Sequence, residues 1–138
     1  MIHAGLKESV QKVLNEVKKI IENKSFDIEK NFEFKRKRFK DDPLDPYNNN
    51  NTLLDLDYDI QDVVNAVYSL KIQNFYNIML DDKPDRQKPF YEFIKEINGK
   101  QVYIKLKINE VDNQKILCVS FHYAKHEVKS SDLPFIDL

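Results

Sequence analysis

The sequence has little of several things that define protein classes. Its 138 residues hold one cysteine, Cys118, which excludes a disulfide framework and any cysteine-based zinc site. No apolar run approaches the ~18 residues that a membrane helix needs. No apolar stretch follows the N-terminus, so no secretory signal is read, no membrane partner is expected, and the cytoplasm is the expected location. Histidine is scarce as well. There are three, without clustered carboxylates beside them, so no metal or cofactor is expected. Net charge is also nearly absent, with 22 Lys+Arg against 23 Asp+Glu and a formal total of -1. As a total, that balance argues against a nucleic-acid binder.

What is there is charge in blocks. Residues 1–40 hold eleven Lys/Arg and six Asp/Glu, a local +5. Their peak is Lys35-Arg36-Lys37-Arg38-Phe39-Lys40. Residues 41–62 hold seven Asp and no basic residue. A basic block attracts phosphate backbones because counterions are released on binding. The competing reading is a solvated face screened by the acidic stretch beside it.

The hydrophobic pattern divides the chain. Leu6, Val10, Val13, Leu14, Val17, Ile20 and Ile21 recur at helical spacing, which predicts an amphipathic helix from about residue 4 to 23, with Gly5 and Asn23 at its ends. Phe32-Glu33-Phe34 alternates and predicts a short extended segment. Pro43, Pro46 and the run Asn48-Asn49-Asn50-Asn51 predict a loop. A second helix, N-capped by Asp57 or Asp59, follows on the stripe Ile60, Val63, Val64, Val67, Leu70. Phe75, Ile78 and Met79 extend it by a further turn or two. The period then changes to two. Tyr91–Ile97, Val102–Ile108 and Ile116–Tyr123 read as three strands, the first two joined at Asn98-Gly99, a strong hairpin dipeptide. The fold class is α+β, with N-terminal helices packed on a C-terminal antiparallel sheet. One domain is expected over 1–127, with 128–138 as a surface extension.

A turn centred on Asp112-Asn113 fixes what faces what on the last hairpin. On the core side Leu106 meets Val119 and Ile104 meets Phe121. On the other side Lys107 meets Cys118, Lys105 meets Ser120 and Tyr103 meets His122. Opposed residues of an antiparallel pair have Cβ atoms about 4.5–5.5 Å apart. One face thus gathers a phenol, an imidazole, a hydroxyl and two ammonium groups. RNA cleavage without metal needs a base near the 2′-OH, an acid near the leaving 5′-oxygen and cations for the phosphate. His122 can serve as acid or base. Lys105, Lys107 or Lys125 can stabilise phosphate charge, and Tyr103 can donate a hydrogen bond or stack a base. The competing reading is an ordinary solvent-facing sheet surface.

At these residues the sequence resembles the MqsR family of bacterial toxins, the ribonuclease partners of type II toxin–antitoxin pairs. The resemblance runs from about Leu53 to Ala124. It is carried by Leu-Asp-Leu-Asp-Tyr-Asp before the second helix and Tyr-Ser-Leu-Lys-Ile-Gln-Asn-Phe-Tyr-Asn-Ile-Met at 68–79. Gly-Lys-Gln-Val-Tyr-Ile-Lys-Leu-Lys at 99–107 and Leu-Cys-Val-Ser-Phe-His-Tyr-Ala at 117–124 complete it. It implies a RelE-like α+β fold and a metal-independent mRNA interferase that slows translation. The implied partners are mRNA, on the ribosome or free of it, and a cognate antitoxin protein. The family's tyrosine falls at Tyr103, its lysine after Ser-Phe at His122, its lysine after Phe-Tyr at Asn77, and its strand glutamine near Tyr91. The expected catalytic residues are therefore Tyr103, His122 and Lys105. The expected RNA contacts are Lys107, Lys125, Tyr91, Lys35, Arg36, Lys37 and Arg38. A non-catalytic RNA- or protein-binding module that keeps the toxin fold is the alternative.

Overall fold

Hydrophobic spacing and caps set the helices. The computed structural model describes residues 3–83 and 88–138. Helix α1 (His3–Glu22) buries Val10, Leu14, Val17 and Ile20 along one face. Gly5 lies inside it rather than at its end. A single turn, α2 (Ile28–Asn31), is capped by the Asp27 carboxylate and leads into strand β1 (Phe32–Phe34). Helix α4 (Ile60–Tyr68) begins on a capping box between Asp59 and Asp62. Val63, Val64 and Val67 of α4 are buried, as is Leu70 just beyond it. Of the two candidate caps, Asp59 serves; Asp57 instead ends the preceding helix in the left-handed region, at φ 56°.

Two expectations are corrected here. The asparagine run does not form a loop. It starts helix α3 (Asn49–Leu56), with the Asn48 side chain accepting from the Asn51 N–H. The segment after Leu70 does not continue as helix. A 3-10 turn at Ile72–Asn74 redirects the chain into strand β2 (Phe75–Met79). An aromatic at 75 and 76 and a β-branched residue at 78 suit a strand better than a helix.

Strands β3 (Phe90–Ile97), β4 (Lys100–Ile108) and β5 (Ile116–Tyr123) form the expected meander. Asn98 and Gly99 join β3 to β4 with φ of 52° and 78°, the two positive values that a type I′ turn requires. The sheet is wider than three strands and is mixed. Its order is β1-β5-β4-β3-β2, with β1 parallel to β5. The architecture is α+β.

On the helix side lie Phe75, Tyr91, Phe93, Val102, Ile104, Leu106, Ile116, Cys118 and Phe121, in one cluster with the buried faces of α1 and α4. Helix α3 packs along β5. The Asn49 Oδ1 accepts from the Phe121 N–H at 2.9 Å, and the Thr52 Oγ1 accepts from the Tyr123 N–H at 3.1 Å. β1 pairs only with residues 116–118, so these side chains satisfy part of β5 that β1 does not reach.

The C-terminal segment is pinned. Gln101 exchanges two hydrogen bonds with the Val128 backbone, and Phe135 is 6% exposed with its ring 5.8 Å from that of Phe75. Among the described residues, no helix is long and apolar enough to cross a membrane.

Candidate functional site on the second sheet face

Strand alternation sends Phe90, Glu92, Ile94 and Glu96 of β3, and Gln101, Tyr103, Lys105 and Lys107 of β4, to the side away from α1 and α4. The register pairs Tyr103 with His122 and Lys105 with Ser120, as the turn position predicts. It then slips. Leu106 lies opposite Cys118, Lys107 opposite Leu117, and Ile108 opposite Ile116. An irregularity at Val119 absorbs one residue and turns Cys118 into the core. Cys118 is therefore not on the face of Lys107. Burial pushes its thiol pKa up to about 12, which makes it a small hydrophobe rather than a nucleophile.

Tyr103 and His122 are in contact, with ring centroids 5.2 Å apart and planes at 36°. The Tyr103 hydroxyl donates to the Glu92 carboxylate. Burial, together with that bond, raises its pKa, so the phenol keeps its proton near neutral pH. His122 Nδ1 lies 3.0 Å from the Tyr123 carbonyl oxygen. A carbonyl only accepts, so Nδ1 carries the hydrogen and Nε2 carries the lone pair. Burial, with Lys125 and Arg38 nearby, lowers the imidazole pKa against the opposing pull of the Tyr123 carbonyl and Asp45. The ring is a neutral base near pH 7.

Two hollows flank this histidine. One, of about 270 Å³, lies over the sheet face and is walled by Tyr76, Ile94, Tyr103, Lys125 and the C-terminal segment at Val128. The other, of about 180 Å³, is walled by Arg38, Asp45, Asn49, Ser120 and Lys125. His122 and Lys125 line both.

The remaining expected residues divide. Lys105 is half-buried on the same face, its ammonium 4.9 Å from the Phe90 ring centroid and 3.0 Å from Met79 Sδ. Lys107 is corrected. It is 2% exposed, and its ammonium donates to Asp81 at 2.9 Å, to Glu110 at 3.3 Å and to the Lys88 carbonyl at 3.2 Å. A lysine held in this way has no donor to spare for a phosphate. Tyr91 is corrected as well. Its side chain lies in the core cluster under α1, beside Ser9, rather than on the sheet face that carries Tyr103 and His122.

In the basic run, Lys35 and Lys37 are exposed. Arg36 donates to the Asn50 side chain at 2.8 Å, and Arg38 donates to the Val119 carbonyl, which brings its guanidinium to the second hollow. Alternation missed Arg38 as a neighbour of His122, because a long loop carries it there.

Glu92 is the functional candidate that sequence reading passed over. It is 2% exposed and opposes Lys105. Its signal was a carboxylate between Phe90 and Ile94 on the Tyr103 side of β3. Among the described residues, no group of three or more His, Cys, Asp or Glu is placed to hold a metal ion. No family model, curated protein or solved structure matches the chain.

Proposed function

We propose that this chain is the toxin component of a type II toxin–antitoxin pair, a metal-independent endoribonuclease that cleaves mRNA and inhibits translation. It would act in the cytoplasm and be neutralised by a cognate antitoxin. The observation that carries the reading is the Tyr103–His122 pair, with a neutral imidazole whose Nδ1 is committed to a carbonyl, which leaves the lone pair on Nε2. In this scheme Nε2 takes the proton of a ribose 2′-OH, and the 2′-oxygen bonds to phosphorus as the bond to the 5′-oxygen breaks. The leaving oxygen takes a proton from the imidazolium so formed or from Tyr103. Arg38 and Lys125 offset the charge gathering on the phosphate oxygens.

The test is incubation of purified protein with a long mRNA, with and without EDTA. Cleavage that persists in EDTA and falls roughly 10²–10⁴-fold in His122→Ala supports the reading, that being the usual contribution of a general acid or base. Equal cleavage by wild type and the variant would sink it. A second reading, a non-catalytic module that binds RNA or protein, is favoured by the commitment of the Tyr103 phenol to Glu92. It predicts RNA binding without cleavage, and greater sensitivity to changes at Lys35–Lys40 than at His122.

A further inference from the structure

Phe39 is fully exposed, at 101% of its reference surface. A large aromatic so completely in water gains nothing from the fold, and since a lone exposed apolar residue is common on protein surfaces, its neighbours decide what it can bind. Its surroundings narrow the partner. The chain carries it at the tip of a turn from Arg38 to Asp41. The Asp41 N–H donates to the Arg38 carbonyl at 3.1 Å, and the Arg38 N–H donates to Asp41 Oδ2 at 2.9 Å. The Arg38 guanidinium ties the base of this turn to β5 through the Val119 carbonyl. The tip is therefore presented, not trailing.

Lys35, Lys37 and Lys40 are exposed around it. The neighbouring aspartates do not neutralise them by pairing. Asp42 and Asp45 each accept a nearby backbone N–H at 2.9 Å. Among the described residues, no ion pair joins the basic run to the acidic stretch.

An exposed ring among lysines and arginines is the pairing that holds single-stranded nucleic acid. The cations track the backbone, and the ring stacks on whichever base is presented. A duplex has no free base face to offer. Arg38, the residue before Phe39, lines the hollow that Asp41, Asp45, His122 and Lys125 also line, so a base on Phe39 would neighbour a nucleotide entering that hollow.

We propose that Phe39 is a stacking residue for single-stranded RNA, and that the Arg38–Asp41 turn and its lysines form the entry platform to the His122 site. This rests on the ribonuclease reading above. It adds a base-stacking residue that reads no particular sequence, on the turn that carries Arg38 to the second hollow.

The chain contains no tryptophan, so Phe39→Trp installs a sole reporter at the tip. Its emission is followed while an unstructured RNA oligonucleotide, or a duplex of the same sequence, is titrated in. His122→Ala is added to the background to stop turnover. Quenching by the single strand and not by the duplex is expected. Phe39→Ala should weaken single-strand affinity roughly 5- to 150-fold, the usual range for a lost stacked base, with an unchanged melting temperature. If wild type binds the single strand, yet emission stays flat and Phe39→Ala binds as well as wild type, the platform is overturned while the ribonuclease reading stands. Loss of binding to a co-expressed protein partner, with RNA affinity unchanged, also overturns it and assigns Phe39 to that partner. If wild type binds no single-stranded RNA, both readings fall.

Discussion

At His122, burial disfavours the imidazolium, and the positive charges of Lys125 and Arg38 disfavour it further. The folded pKa lies below the ordinary value of 6.5. Between those two values the unfolded chain binds the proton that the folded chain refuses, so stability falls as pH drops from 6.5 towards the folded pKa. Above 6.5 the contribution is complete. Thermal melts at pH 7.5 and 5.5 should show a larger drop for wild type than for His122→Gln, and equal drops would refute the assignment. The acid limb of any cleavage profile belongs below pH 6.5 for the same reason. The pairing of His122 with Tyr103 was legible because alternation and one tight turn fix it locally. The failure at Lys107 has a physical cause. Its burial depends on Asp81 and Glu110, which a loop and a strand end bring to it, and no local pattern encodes that. Tyr91 was misassigned although its own alternation set it beside Phe93.

Helix α3 shows how an element can override its own composition. Four consecutive asparagines have poor helix propensity and read as a turn. They form a helix because its first residue is a buried connector. The Asn49 amide donates to the Lys35 and Val119 carbonyls, both at 3.2 Å, while its oxygen accepts from Phe121. This single side chain joins the basic loop, the irregular point of β5 and the strand that carries His122. Asn49→Ala leaves the buried Phe121 N–H without a partner, which costs about 1–3 kcal/mol. Urea denaturation should show a lower midpoint at unchanged slope, and an unchanged midpoint would mean that water replaces the amide. Helices α1 and α4 and the last three strands were legible because each repeats its own period over many residues. β2 was not. Its five residues, one of them at a register irregularity, are too few to separate strand from helix without the partner β3.

For the whole molecule, a charge of -1 describes the average and not the surface. The basic loop meets the second sheet face at Arg38, which shares a hollow with His122 and Lys125, and the C-terminal segment borders that face on the other side. The segment after Tyr123 walls the hollow beside Tyr103 and His122 through Val128. It then reaches the edge of the sheet, where Phe135 packs on Phe75 of β2 and the Leu138 carbonyl accepts from Gln73 in the turn before that strand. One aromatic anchor thus holds one wall of the candidate site. Phe135→Ala removes a buried ring from the margin of the core, a change that costs about 3 kcal/mol. For a chain of this size that corresponds to a fall of roughly 10 °C in melting temperature. Because the wall at Val128 is held by Gln101 as well as by the anchor, loosening should start at the C-terminal end. Amide exchange in Phe135→Ala should accelerate first beyond residue 130, then near Val128, and last in β4. Uniform acceleration across all five strands would instead show that Phe135 supports the core as a whole and has no particular hold on the site.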